Sequence, residues 1–256
     1  MANFIFKNTQ AEIKGIKGII FDKDGTLTNS NIFWSEIIKR RSLEIINFTK
    51  LDVSHFSYLC KIMGLDLESN LLLPEGPIAL KSRKEVIRIL SLNLKKLNIN
   101  INESTISRIF EKVHTEFSPK SEGFIIPIRS ACDFVKNCKL NNLRLALITS
   151  DTELNAEIAL KKIGLIDYFD LIIGGDSGFG NKSNGKSANF VATSFNLITD
   201  KIISIGDAPS DFEMSIKSNL KCSVLVETGQ VPIYQLQKLS RFAVKDLSDI
   251  DIKKTS

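Results

Sequence analysis

Five short apolar runs constrain this chain more than any other feature: GIIFD at 18–22, LRLALIT at 143–149, DLIIG at 170–174, KIISIG at 201–206 and CSVLV at 222–226. Each has the length of a strand, is rich in Ile, Leu and Val, and lacks the polar alternation of a strand with one wet face. Strands buried on both faces of a parallel sheet read this way. Between the later runs the apolar period becomes helical, over 127–140, 153–163, 187–197 and 210–218. Strand and helix therefore alternate, which predicts a parallel sheet covered on both sides. Residues 30–120 differ, with four helical patterns at about 31–48, 51–63, 77–97 and 103–117 and no strand; Pro77 suits a first helical position. The expected fold class is α/β: a Rossmann-like parallel sheet core flanked by helices, made of residues 1–29 and 121–256, with an α-helical domain inserted at 30–120.

Composition narrows the function classes. At 256 residues, 43% hydrophobic and 25% charged, the chain has ordinary globular usage and enough length to bury a sizeable core. The opening MANFIFKNTQ lacks the charged start, apolar stretch and small-residue cleavage site of a secretory leader, and no run reaches the ~18 apolar residues of a membrane span. A cytoplasmic protein without a membrane partner is expected. The four cysteines, Cys60, Cys132, Cys138 and Cys222, form no C-x-x-C pair, so neither a disulfide framework nor a zinc site is indicated. With only His55 and His114 available, both on the inserted helices, acid–base chemistry falls to carboxylates. A net charge of +5 without a dense basic block gives no support to nucleic-acid binding.

The polar residues fall where the apolar runs end. The first run ends in Asp22, followed by Lys23, Asp24, Gly25, Thr26, Leu27 and Thr28; the second in Thr149, Ser150 and Asp151; the fourth in Gly206 and Asp207, with Asp211 beyond. The carboxyl ends of parallel strands share one edge of the sheet, so these groups converge although they are far apart in sequence. Carboxylates crowded together raise each other's pKa unless a cation lies among them, and an all-oxygen donor set favours magnesium.

FDKDGTLT at 21–28 resembles the first motif, D-x-D-G-T-[LV]-T, of the haloacid dehalogenase-like hydrolases, a superfamily dominated by magnesium-dependent phosphatases. ALITS at 146–150 is similar to the second motif, a strand ending in Ser or Thr. NGKSANF at 184–190 is similar to the third, a lysine ahead of a helix, with Ser187 where proline is usual. IGDAPSD at 205–211 is similar to the fourth, G-D-x-x-x-D. The resemblance spans the whole core, and the insertion lies where the phosphoglycolate phosphatase-like branch carries a small helical cap.

The resemblance implies a phosphomonoester phosphatase acting on a small-molecule phosphate ester, of phosphoglycolate or sugar phosphate type, as a monomer or homodimer. Asp22 is then the nucleophile that forms an aspartyl-phosphate, and Asp24 the group that protonates the leaving oxygen and then activates water. In extended backbone, residues i and i+2 point the same way, which sets both carboxylates toward one substrate. Asp22, Asp24 through its carbonyl, Asp207 and Asp211 are the implied magnesium ligands, and Thr149 or Ser150 with Lys186 the implied phosphate contacts. Gly25 permits a sharp exit from the strand, and the Thr26 hydroxyl is expected to hold the loop. A phosphomutase shares all four motifs.

A different class competes. GNKSNGKS at 180–187 matches the phosphate-cradling pattern G-x-x-x-x-G-K-[ST], and KIISIGD resembles the strand that ends in a magnesium-binding Asp of such nucleotidases, which would give Lys186 and Ser187 to a nucleotide. Against it, several residues separate GNKSNGKS from its strand, and it leaves FDKDGTLT unexplained. In the insertion, Arg41 interrupts an apolar stripe of Trp34, Ile37, Ile38, Ile45 and Phe48. Either its stem is buried while its head snorkels, or Arg41, with Arg40, meets an anionic group of the substrate.

Overall fold

The computed structural model describes residues 1–254. The chain divides into two compact units, one made of Met1–Asn29 and the chain from Ile125 onward, the other of Ser30–Phe124. The first unit opens with β1 (Ala2–Phe6), β2 (Glu12–Ile16) and β3 (Gly18–Phe21). The second holds α1 (Ser30–Thr49), α2 (Phe56–Met63), β4 (Leu65–Asp66), β5 (Leu71–Leu72), α3 (Pro77–Leu80), α4 (Arg83–Lys96) and α5 (Glu103–Phe117). The chain then returns to the first unit through α6 (Arg129–Leu140), β6 (Arg144–Ile148), α7 (Glu153–Lys162), β7 (Leu171–Ile173), α8 (Lys186–Ser194) and β8 (Ile202–Gly206). It ends in α9 (Pro209–Lys217), β9 (Cys222–Val226), α10 (Ile233–Leu239), β10 (Ala243–Val244) and β11 (Ile250–Lys254).

The five apolar runs become five strands of one six-stranded parallel sheet, in the order β10-β9-β8-β3-β6-β7. β3 lies inside it, pairing with β6 on one side and β8 on the other, and all four of its residues are buried. This explains its unbroken GIIF pattern: both faces pack, one with Ile19 and Phe21 against α6 residues such as Phe134, the other with Ile20 against Ala188 and Val191 of α8. Between β3 and β8, β3 and β6, the three strand ends that carry the polar motifs are neighbours.

Two features were not legible from hydropathy. A three-stranded antiparallel sheet, β11-β1-β2, joins the two chain ends, with Phe4 paired to Ile252. Ala2, Phe4 and Phe6 alternate inward, and a bulge in β2 at Gly15, φ 73°, keeps Ile13 and Ile16 both buried. The helical unit also carries a two-stranded hairpin, β4-β5.

In the helical unit, Ile38, Ile45, Leu59, Met63, Leu90, Leu94, Ile106 and Phe110 form the core. The expected helix 77–97 is broken at Lys81–Ser82, because Ser82 caps α4: its hydroxyl accepts the Glu85 N–H at 3.3 Å while the Glu85 carboxylate accepts the Ser82 N–H at 3.0 Å. The expected helix 51–63 likewise starts as a 3-10 turn, Val53–His55, capped by Asp52. Among the described residues no helix is long and apolar enough to cross a membrane. Ser82→Ala removes one side of the reciprocal cap and is expected to cost about 1 kcal/mol, read as a lower denaturation midpoint of the helical unit.

Candidate active site

The site is built on the turn that leaves β3. Asp22 continues the strand, donating its N–H to Ile205 at 2.8 Å. The chain then folds back so that the Lys23 carbonyl accepts the N–H groups of Leu27 (2.8 Å) and Thr28 (3.0 Å), and Gly25 donates to the Thr28 carbonyl at 2.7 Å. Gly25 has φ 84°, and a Cβ there would lie 2.3 Å from Asp207 Oδ2, so this position needs glycine both for its backbone and for space. The expected role of Thr26 falls to other threonines. The Thr26 hydroxyl is buried without a hydrogen-bond partner, whereas the Thr228 hydroxyl, from the loop after β9, donates to the Gly25 carbonyl at 2.6 Å.

Three carboxylates converge on this turn, and Asp22, Asp207 and Asp211 each place an oxygen within 4.8 Å of the others. β8 delivers Asp207, and Asp211 sits in the first turn of α9, where its carboxylate accepts the Ala208 N–H at 3.1 Å. Lys182 Nζ lies among them, bonded to Asp22 and 2.6 Å from Asp211, with its side chain only 3% exposed. Burial is the largest influence on Asp22, pushing its carboxyl from 3.8 to about 6 against the pull of Lys182, and Asp211 adds repulsion. Asp207 is raised well above the carboxylate range, first by burial and then by Asp22 and Asp211. Lys182 is held charged, as its two carboxylates outweigh the cost of burial. The donor set suits a hard cation: all ligands are oxygen, and opposite ligands of magnesium stand ~4.2 Å apart. The backbone closes tightly on it, since a Cβ at Gly229 would fall 1.7 Å from Asp207 Oδ2.

A second, separate network holds Asp24. Lys23 Nζ is 3.2 Å from Asp24 and 2.6 Å from Asp151, and the Thr28 hydroxyl donates to the other Asp24 oxygen at 3.2 Å. Burial raises Asp24 to about 6 in spite of Lys23, while Lys23 and the hydrogen bonds of Asn155 and Thr152 outweigh burial at Asp151 and lower it. Thr149, buried at the end of β6, donates its N–H to Ile173, and its hydroxyl accepts the Asp151 N–H at 3.2 Å; Ser150 is exposed.

The structure corrects the lysine. Lys186 is the first residue of α8 and is exposed; Lys182, four residues earlier in the 3-10 turn Lys182–Asn184, reaches the carboxylates. The same turn disposes of the nucleotide cradle, because its lysine points to solvent and the Ser187 hydroxyl is buried inside the packed unit without a partner. Lys182 lies in a loop turn, where no apolar period numbers the residues. Lys23, Asp151 and Gly229 likewise carried no signal. In the helical unit, Arg40 pairs with Glu36 at 2.7 Å and lies over the Phe117 ring. Arg41 does not snorkel. It is 5% exposed, its guanidinium is 4.0 Å from the Phe110 ring centroid, and burial pushes its pKa down to about 9.

The model of the haloacid dehalogenase-like hydrolases matches residues 19–225. The chain belongs to this family, and it is an enzyme of the phosphatase kind. It is 24% identical over 206 residues to a phosphorylated carbohydrates phosphatase of Thermotoga maritima, covering 80% of this chain and 83% of that protein. A crystal structure described as a predicted phosphoglycolate phosphatase from Haemophilus somnus 129PT superposes with a TM-score of 0.70 at 16% identity, over 93% of this chain and 97% of the other. A predicted phosphatase from Clostridium acetobutylicum gives 0.64 at 21% identity, over 91% and 96%.

Lys182→Ala is expected to lower turnover of 4-nitrophenyl phosphate by at least about 10²-fold, since it strips the buried cation from Asp22 and Asp211, while Lys186→Ala stays within about twofold. Steady-state rates of the two variants at equal folded fraction check this.

Proposed function

We propose that the protein is a magnesium-dependent phosphomonoester phosphatase for a small phosphorylated metabolite, of sugar phosphate or phosphoglycolate type, working through an aspartyl-phosphate on Asp22. The observation that carries this reading is the pairing of Asp22 and Asp24: two carboxylates two residues apart, each with its own buried lysine. Asp22 lies with Asp207, Asp211 and Lys182, where a nucleophile facing a dianion needs positive charge. Asp24 lies outside that cluster, with a carboxyl raised to about 6, the range in which one group can give a proton and later take one.

In this mechanism Asp22 attacks phosphorus and Asp24 protonates the departing ester oxygen; Asp24 then takes a proton from the water that hydrolyses the acyl phosphate. Splitting one displacement into two lowers a barrier that is among the highest in biochemistry. Thr149, with Ser150, and Lys182 bind the phosphoryl oxygens, where charge spreads in the transition state. Magnesium, held by Asp22, Asp207 and Asp211, with the Asp24 carbonyl as a further ligand, supplies positive charge that offsets repulsion between phosphate and carboxylates. Substrate selection by Arg40 and Arg41 is part of the proposal, and rests on the buried Arg41 Nε having no hydrogen-bond partner among the described residues.

Turnover of a panel of sugar phosphates, phosphoglycolate and nucleoside monophosphates with magnesium tests the reading, with release of inorganic phosphate expected. A rearranged sugar phosphate without net phosphate release would make the enzyme a mutase. Asp22→Asn is expected to abolish turnover and keep the fold, and comparable activity in that variant would remove the covalent mechanism. The cation leaves a mark on stability as well. Asp22 titrates near 6 when folded against 3.8 ordinarily, so without a cation the folded state binds more protons than the unfolded one between these values, and loses stability as pH rises through them. A cation displaces those protons. The rise in Tm on adding magnesium should therefore be largest near pH 7.5 and shrink toward pH 5; a pH-independent rise would place the cation elsewhere.

A further inference from the structure

Lysine is seldom fully buried, and the residue between the two site aspartates is a lysine that is 3% exposed. Its ammonium joins two carboxylates, Asp24 at 3.2 Å and Asp151 at 2.6 Å. Asp151 is itself fixed from behind: one oxygen accepts the Thr152 N–H and the Asn155 side-chain amide, both at 2.8 Å, while the other takes Lys23. Asp24 is gripped at both oxygens, by Lys23 and by the Thr28 hydroxyl. A lysine stem alone is too flexible to fix a carboxyl, with ~2 kcal/mol of rotamer entropy, but an ammonium pinned by a rigid second carboxylate is not.

We propose that Lys23 and Asp151 are a positioning pair for the proposed reaction, a buried strut from the end of β6 that fixes the Asp24 carboxyl at the ester oxygen of the substrate. The role rests on the reading of Asp24 as the group that protonates that oxygen. In the step concerned, the Asp22 oxygen bonds to phosphorus, the phosphorus–oxygen ester bond breaks with its electron pair going to the ester oxygen, and the proton on Asp24 passes to that oxygen. The strut touches neither phosphorus nor substrate, so its loss should appear only where the proton matters. A 4-nitrophenolate leaves without protonation; an alkoxide does not.

The test compares kcat/KM, which reports the steps up to this bond cleavage, for 4-nitrophenyl phosphate and benzyl phosphate in the wild type and in the Lys23→Met, Asp151→Asn and Asp24→Asn variants. Lys23→Met leaves two buried carboxylates without their cation, a change that costs stability, so Asp151→Asn, which keeps shape and the bonds from Thr152 and Asn155, is the second variant. The ratio between substrates is unaffected by the folded fraction, which scales both equally. Both variants are expected to lower the benzyl-to-nitrophenyl ratio by at least about tenfold, a part of the ~10² to 10⁴ that a positioned acid contributes, with Asp24→Asn lowering it further. Equal losses on both substrates in Lys23→Met and Asp151→Asn, with the ratio still falling in Asp24→Asn, would reduce the strut to a structural tie. An unchanged ratio in Asp24→Asn would overturn the acid role of Asp24, and the positioning role with it.

Discussion

Like-charge repulsion at one edge of the parallel sheet governs the rest of this structure. Strands β3 and β8 are neighbours, and each is followed directly by aspartate, so pairing Phe21 with Ile205 brings Asp22 and Asp207 together before any side chain chooses a rotamer. α9 adds Asp211. Burial of such a group is costly unless positive charge is placed among its members. The fold meets that need with Lys182, brought from the loop before α8 onto the turn after β3. The acidic cluster is therefore tolerable only where these loops are ordered, which ties the site to segments that contribute little to the apolar core.

Space is the second constraint. Asp207 is enclosed by Gly25 and Gly229, and a Cβ at either position would overlap its carboxylate; Asp211 lies equally close to Gly206, where a Cβ would fall 2.1 Å from its Cγ. Glycine at these points lets backbone come against carboxylate, and the Thr228 bond to the Gly25 carbonyl locks the loop after β9 onto the turn after β3. Three loops, distant in sequence, thus share one small volume. A substitution in any of them is felt by the same carboxylate.

What the sequence made legible follows from period. The five buried strands could be read because an unbroken apolar run has few other meanings, and Asp22, Asp24, Asp207 and Thr149 could be placed because strand ends are fixed once strands are. Lys182 could not, because a loop has no period to number its residues; Lys186, at the helix start beside a phosphate-binding pattern, was the better match to a linear motif and lies in solvent. The β11-β1-β2 sheet escaped for another reason. Its strands are five residues long, only β1 alternates cleanly, and β1 pairs with a segment nearly the whole chain away, so neither shows its character without the other. The break between α3 and α4 was written in the chain, as Ser82 followed three residues later by Glu85, but a long apolar period hid it.

Two aspartates of one type, two residues apart and both raised to about 6, are separated by what surrounds them. Asp22 shares its lysine with Asp211 and faces Asp207, so its surroundings respond to any cation that enters the cluster. Asp24 shares its lysine with Asp151, a carboxylate held down by an amide and a backbone N–H that do not depend on the cluster at all. The two networks meet through the backbone of Asp22–Lys23–Asp24 and through repulsion between the Asp22 and Asp24 carboxylates. Separate lysines let one carboxylate be tuned by what binds at the sheet edge while the other keeps its orientation, which is the arrangement the proposed nucleophile and proton donor require when both must act on one phosphorus–oxygen bond.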